Sequence, residues 1–360
     1  MHIPDGYLSP ETCGALGATM APVWVTASRR VRKVVKHRYV PLMAIGAAYC
    51  FLVMMFNVPI PDGTTAHAVG AVLVAVLLGP WAAVIAVTVA LAIQALFFGD
   101  GGVLAFGANA FNMAFVMPMV GYGIYWVLAH RSALTAPRRA FAAGLGGYIG
   151  LNVAALCAAI ELGIQPTLFH TANGTPLYAP YHLTQTIPAM LLAHLTVAGG
   201  VEFVLTAGVV AYLQRANLPL LRINRAALPA GDGDAPEPRT LGWRWGVIAL
   251  GVMAVLTPLG LIAPGSAFGE SAPKHLDLRK YHLNAVPDGL RHYAGFWHNA
   301  LFSGYDFSHD KHPVIGYLVS AGFGIAVIAV VAVLVGLLLR ATHRHNAGAT
   351  APAPDVLVGQ

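Results

Sequence analysis

Long apolar runs separated by short polar stretches are the dominant pattern along this 360-residue chain. Several runs reach the ~20 residues that a helix needs to cross the hydrocarbon core of a bilayer. The pattern predicts nine membrane segments, at about 8–28, 40–56, 67–79, 80–97, 107–129, 140–163, 185–213, 243–263 and 313–340. Because helices satisfy their own backbone polar groups in lipid, the predicted fold class is an all-α integral membrane protein.

Two stretches divide the apolar pattern into domains. The interval 214–241 is rich in Pro, Gly and Asp and has no apolar span, and the last 20 residues are rich in Ala, Pro and Thr, a composition typical of disorder. We therefore predict a seven-helix membrane domain (1–213), a cytoplasmic linker (214–241), a two-helix accessory domain (242–340) with an extracytoplasmic loop (264–312), and a disordered cytoplasmic tail (341–360). The third and fourth segments form one run that Gly79-Pro80 interrupts, so we expect a tight turn there.

Composition and charge agree with a membrane protein and indicate its orientation. The chain is 57% hydrophobic and 10% charged, whereas soluble domains carry roughly 25% charged residues. Sixteen of the 21 Lys and Arg residues lie in 29–39, 130–139, 214–244 and 340–360. The positive-inside rule then places the N-terminus outside and the C-terminus in the cytoplasm of a multi-pass inner-membrane protein. These basic residues act as topology signals, so no nucleic-acid partner is expected.

The first two residues, Met1 and His2, are the first candidate for chemistry. A terminal amine, the amide nitrogen of residue 2 and an imidazole Nδ1 at position 2 can chelate one ion with three nitrogens in a plane. A fourth donor would complete a square, a geometry that suits Ni²⁺, Cu²⁺ and some Co²⁺. The start of the chain does not resemble a cleavable signal peptide, so we expect Met1 to remain. The alternative is an irrelevant His on a frayed terminus.

Other polar residues on the outer side extend this candidate site. His67 follows an outer loop and is a candidate fourth nitrogen, or else a capping residue. Asn109 and Asn112 stand near the outer end of the next helix, where their amides could hydrogen-bond the metal ligands or the loops around them, or else cap the helix. The role of the intramembrane pair His194 and Glu202 stays open, although we do not expect either to bind the metal. The role of the six histidines in 264–312 also stays open.

Some chemistry is excluded by missing motifs. The sequence contains no G-x-x-x-x-G-K-[ST] and no H-E-x-x-H, so it has neither its own P-loop ATPase site nor the signature of a zinc protease. We expect a transport subunit rather than an enzyme, with no catalytic cofactor.

Three stretches, MHIPDGYLSP, HAVGAVLVAVLLGPWAAV and FGDGGVLAFGANAFNM, together resemble the CbiM/NikM family. These proteins are substrate-capture (S) components of energy-coupling-factor transporters for cobalt and nickel, and the resemblance covers about residues 1–213. It implies that the amine of Met1, the backbone nitrogen and imidazole of His2, and His67 bind the metal as substrate. It also implies three kinds of partner: a transmembrane coupling (T) subunit, P-loop ATPase subunits and the lipid bilayer.

The accessory domain resembles the CbiN/NikN or PDGLE-type components of the same systems, although Arg291 stands where that motif has an acid. The predicted function is capture of extracytoplasmic Ni²⁺ or Co²⁺ for an ATP-driven importer, with the choice of metal open. Two alternatives remain: a self-sufficient permease driven by an ion gradient, and a membrane enzyme or metal sensor that uses the histidine-containing loop.

Overall fold

The computed structural model of the chain describes residues 1–34, 39–60, 65–229, 243–263, 266–307 and 312–349. The principal helices of these residues are α1 Pro10–Val34, α2 Val40–Met55, α3 Ala71–Leu78, α4 Pro80–Phe98, α5 Phe106–Ala129, α6 Pro137–Gly163, α7 Leu183–Ala216, α8 Trp243–Ile262 and α9 Pro313–Ala349. Shorter helical segments are Gln165–Leu168, Leu218–Leu221, Arg225–Ala227, Pro273–His275, Asp288–Tyr293 and Ser303–Tyr305. Two short strands, β1 Val58–Pro59 and β2 Thr65–Ala66, pair antiparallel between α2 and α3.

The predicted all-α membrane fold is confirmed, and each predicted segment coincides with one of the principal helices. The six helices α4 to α9 are long and apolar enough to cross a membrane, and α2 is apolar but shorter. At 8 residues, α3 rises only about 12 Å and cannot cross a bilayer by itself. The expected break also occurs: Gly79 has a φ of 92°, and Pro80 begins α4, where its missing N–H costs no hydrogen bond.

Three principal helices contain widened, π-helical turns. These turns are Gln94–Phe98 in α4, Ala110–Val116 in α5 and His194–Ala198 in α7. Such turns are rare in proteins and are frequent at functional sites. In this chain they carry the buried polar side chains Gln94, Asn112 and His194.

The predicted linker and tail differ from the structure at their edges. The start of the linker is helical and docked, because Asn224 Nδ2 donates to the carbonyls of Ala75 and Val76 at the open end of α3, each at 3.2 Å. Residues 230–242 lie outside the described residues. The predicted tail begins as helix, since α9 continues to Ala349, and residues 350–360 also lie outside the described part.

The accessory domain packs along one side of the seven-helix domain. Both α8 and α9 contact α2, and α9 also contacts α4. Between them, the loop residues 266–307 reach the end of α4, where Trp297 Nε1 donates to Leu96 O at 2.8 Å and Phe302 N donates to Phe97 O at 3.0 Å. The loop therefore lies at the end of the bundle where α4 carries Gln94.

Candidate metal site

The N-terminal segment is buried and fixed by hydrogen bonds. Met1 is 2% exposed and His2 is 4% exposed. Asn109 clamps the next residue, because its Oδ1 accepts from Ile3 N at 2.8 Å and its Nδ2 donates to Ile3 O at 3.0 Å. Asp5 accepts three backbone N–H groups from 103–105. Burial raises the pKa of Asp5, and these three donors oppose the rise. A frayed terminus therefore does not describe this segment.

The three side-chain and terminal nitrogens predicted as donors lie together. His67 Nε2 is 3.2 Å from His2 Nδ1 and 3.5 Å from the nitrogen of Met1. Neighbouring donors on a square around an ion with ~2 Å bonds lie about 2.8 Å apart. His67 thus occupies a corner between the terminal amine and the His2 imidazole, where the fourth nitrogen of a square is needed.

The partners of the two imidazole rings determine which ring nitrogens have free lone pairs. His67 Nδ1 lies 3.0 Å from Ala68 O, a carbonyl that can only accept, so Nδ1 carries the proton. His2 Nε2 likewise faces Gln94 Oε1 at 3.3 Å. The other two nitrogens, which face each other, then both present lone pairs. Neutral imidazoles of this kind suit a divalent transition-metal ion.

A polar network lies behind His2 and joins the two domains. Tyr305, from the accessory domain, donates to Asp100 Oδ2 at 2.5 Å and accepts from Gln94 Nε2 at 2.8 Å. Gln94 Nε2 also donates to Asp100 Oδ2 at 3.4 Å, because a carboxylate can only accept. The amide nitrogen of Gln94 therefore faces Asp100, and its Oε1 faces His2. Asp100 Oδ1 also lies 3.4 Å from His2 Nδ1. Orientation of a ligand by such outer contacts is a general feature of metal sites.

A fourth side chain, Glu270, reaches the site from the loop of the accessory domain. Its Oε1 is 2.6 Å from the nitrogen of Met1. In the part of the chain that the structure describes, one group of at least three His, Cys, Asp or Glu residues could hold an ion: His2, His67 and Glu270, with ligand atoms within 4.8 Å of one another. The loop histidines do not belong to this group, and His309 lies outside the described residues.

Close backbone contact seats this loop on the N-terminal segment. Gly6 has a φ of 89°, and a Cβ there would lie 2.7 Å from Leu290 O. In the accessory loop, a Cβ at Gly289 would lie 2.6 Å from Leu177 O, in the connection between α6 and α7. Only glycine fits such approaches without displacing backbone, so Gly6 allows the N-terminal turn to pack on the Leu290 backbone, and Gly289 allows the accessory loop to pack on the Leu177 backbone.

The intramembrane carboxylate Glu202 supports the site from the opposite side. Its Oε2 accepts from the backbone nitrogens of Val69 and Gly70 at 2.9 and 3.0 Å, directly after His67. His194 donates through Nδ1 to Met190 O at 2.7 Å, and its buried Nε2 has no hydrogen-bond partner among the described residues. Glu202 therefore fixes the connection that carries His67.

The structure separates the two asparagines predicted to support the site. Asn109 bonds to the backbone of the N-terminal segment, whereas Asn112 donates to Glu161 Oε2 at 2.8 Å between α5 and α6. Four further residues, not predicted from the sequence, are Gln94, Asp100, Glu270 and Tyr305. The contacts of Gln94 with His2 and of Glu270 with Met1 join residues 92 and 269 positions apart. No local spacing in the sequence indicates such contacts.

Comparison with known proteins assigns the chain to a family. Residues 2–220 match the family described as "Cobalt uptake substrate-specific transmembrane region", CbiM. The chain belongs to the CbiM family. This CbiM-family chain is a multi-pass membrane protein, because it also has the long apolar helices described above.

Full-length relatives show that the CbiM-family part is fused to the accessory domain. The chain is 46% identical over 340 residues to the fused nickel transport protein NikMN of Rhodobacter capsulatus, a match that covers 91% of this chain and 95% of the relative. It is 48% identical over 352 residues to the "Probable fused nickel transport protein LarMN" of Lactiplantibacillus plantarum, which covers 96% and 98%. A crystal structure of a truncated transition metal transporter is 61% identical, with a TM-score of 0.56, and covers 59% of this CbiM-family chain and 98% of that one.

Proposed function

We propose that this chain is the substrate-capture (S) component of an energy-coupling-factor importer for Ni²⁺ or Co²⁺. One observation carries the proposal: His67 Nε2 lies 3.5 Å from the Met1 amine and 3.2 Å from His2 Nδ1. With the amide nitrogen of His2, these atoms offer four nitrogens to one ion, and nitrogen donors in a plane suit nickel and cobalt. The names of the relatives, which mention nickel or cobalt, support the same substrates.

The remaining parts of the importer are separate subunits in this proposal. The sequence has no P-loop motif, so ATP hydrolysis falls to P-loop ATPase subunits, coupled through a transmembrane T subunit. The chain lies in the inner membrane with its N-terminus outside, where it meets the ion. The accessory domain, residues 242–340, assists metal loading, and its contact with Met1 through Glu270 supports this role.

The chelate is tested by an insertion. One alanine between Met1 and His2 keeps every side chain but enlarges the chelate and displaces the amine from His67. We expect this variant, His2→Ala and His67→Ala to lose Ni²⁺ binding by purified full-length protein at least tenfold, since each removes or moves a donor. His170→Ala, an exposed histidine in an outer loop, is the matched control. Wild-type affinity in the insertion variant would rule out the N-terminal chelate.

The capture role is distinguished from that of a self-sufficient permease by reconstitution. Proteoliposomes that contain the chain alone should bind Ni²⁺ and accumulate none. Addition of the T and ATPase subunits with ATP should start accumulation. Uptake by the chain alone, driven by an imposed ion gradient, would favour the permease instead.

A further inference from the structure

Glu270 brings a carboxylate from the accessory domain into the ligand cluster at the N-terminus. One carboxylate oxygen of Glu270, one ring nitrogen of His2 and one of His67 lie within 4.8 Å of one another. Nickel and cobalt accept carboxylate oxygen as well as imidazole nitrogen. These three side chains can therefore hold an ion before the terminal amine and the amide of the nitrogen plane take part.

Exposure to solvent sets the order in which an ion meets these ligands. The side chain of Glu270 is 19% exposed, whereas those of Met1 and His2 are 0% and 3% exposed. His67 is also buried. Asp100 is similarly exposed, but it does not belong to the cluster, and its Oδ2 accepts from Tyr305 and Gln94. An ion that enters from solvent thus reaches Glu270 before the buried nitrogens.

The loop holds Glu270 at this place through contacts on both sides of it. Tyr7 donates through its hydroxyl to Ser271 O at 2.7 Å, and Glu270 N donates to Ala267 O at 3.0 Å. Phe268 packs against Tyr181, with ring centroids 4.9 Å apart. The carboxylate position is therefore set by a docked turn and not by a free surface side chain.

We propose that Glu270 is the entry ligand for the transported ion. Its carboxylate replaces a water of the incoming hydrated Ni²⁺ or Co²⁺, holds the ion against His2 and His67, and then yields it to the nitrogen plane. When the ion takes Glu270 Oε1, the 2.6 Å contact of that atom with the Met1 amine is exchanged for the metal. This inference rests on the proposed capture function, and it assigns the accessory domain a metal ligand of its own.

The rate of metal loading tests this role. Full-length protein is mixed with Ni²⁺ alone in a stopped-flow instrument, and the absorbance of the nitrogen-bound metal reports loading. We expect Glu270→Gln to load about tenfold more slowly and to reach the wild-type final absorbance, since clefts lined by charge of one sign raise association rates by about 10- to 1,000-fold and this variant removes both a charge and the proposed first ligand. Glu270→Asp, which keeps the carboxylate, should recover part of the rate. Asp277→Asn removes the same charge from an exposed position in the same loop and is the matched control.

Each outcome decides the proposal. Slow loading by Glu270→Gln, with partial recovery by Glu270→Asp and an unchanged Asp277→Asn, supports an entry ligand. Wild-type loading by Glu270→Gln overturns it, and so does an equal slowing by Asp277→Asn, which would indicate only the charge of the loop. If Glu270→Gln and Glu270→Asp both fall short of full occupancy, Glu270 is a structural residue and the proposal is wrong. Failure of the capture function is seen separately, as normal binding by the insertion variant described above.

Discussion

At the scale of single residues, the proposed site depends on where one proton of His2 resides. Gln94 Oε1 favours the proton on Nε2, which leaves Nδ1 free to bind metal. Asp100 Oδ1, 3.4 Å from Nδ1, favours the opposite tautomer. The Tyr305 hydroxyl favours the tautomer with the proton on Nε2, because it donates to the other oxygen of Asp100 and accepts from Gln94 Nε2. Through Tyr305, the accessory domain thereby acts on the tautomer of His2.

Removal of the Tyr305 hydroxyl should therefore weaken metal binding. Tyr305→Phe keeps the stacking on Phe98, at 4.9 Å between ring centroids, but frees Asp100 to accept from His2 Nδ1. We expect Ni²⁺ affinity to fall about tenfold, in the range typical for loss of an outer contact. Chelator competition measures the affinity, and nitrogen NMR of the metal-free protein should show protonation of Nδ1.

The control for this variant is Tyr281→Phe, in the same loop. Tyr281 packs against Tyr181, with ring centroids 4.9 Å apart, and lies outside the His2 network. Equal affinities for the two variants, with an unchanged His2 spectrum, would mean that the Tyr305 hydroxyl does not orient His2.

At the scale of elements, the connection between α2 and α3 carries His67 and depends on α7. Glu202 accepts the backbone N–H groups of Val69 and Gly70 and also the hydroxyl of Thr206 at 3.3 Å. In all three hydrogen bonds Glu202 only accepts, so a neutral side chain of the same size with an acceptor oxygen could replace it. None of the three requires Glu202 to gain or lose a proton. A permease that used Glu202 as a relay would instead need an ionisable carboxylate.

Two substitutions separate these roles. Glu202→Ala leaves two buried N–H groups without a partner, at about 1–3 kcal/mol for each. We expect a lower Tm and weaker Ni²⁺ binding, because the backbone after His67 is released. Glu202→Gln can still accept both N–H groups and should retain most of the binding and of the ATP-driven uptake. If Glu202→Gln binds metal normally but transports none, the carboxylate has a role in proton movement.

The elements themselves were largely predictable from the sequence, whereas their contacts were not. Apolar runs located all the principal helices, and Gly79-Pro80 marked the break between α3 and α4. The proposed metal donors Met1, His2 and His67 followed from chelate chemistry and from family resemblance. Glu270 and Tyr305 did not, because they meet the N-terminus and α4 only after two domains dock. The π-helical turn that presents Gln94 also has no periodic signal in the sequence.

At the scale of the whole molecule, the site lies between two domains of one chain. The seven-helix domain carries the proposed donors Met1, His2 and His67, and the loop of the accessory domain adds Glu270 and Tyr305 beside them. The close backbone approaches of Gly6 to Leu290 and of Gly289 to Leu177 hold the loop against the seven-helix domain. The arrangement requires that the N-terminus and the loop 264–312 lie on the same side of the membrane, as the charge pattern predicts.

Cysteine labelling tests this topology in intact cells. A cysteine at Ala285, which is exposed in the loop, should react with an impermeant reagent from outside. A cysteine at Arg225 should react only after the membrane is opened. The native Cys13 and Cys50 are buried and should give little background. Labelling of both introduced positions from the same side would contradict the nine-segment topology.

The burial of the Met1 amine between His67 and Glu270 has a consequence for how the protein matures. A formyl or acetyl group on this nitrogen removes both its charge and its ability to bind a metal. The 2.6 Å contact with Glu270 and the 3.5 Å contact with His67 also leave little space for an added group. Metal binding at this site would then require an unmodified amine on Met1, and an affinity tag added before Met1 should abolish it.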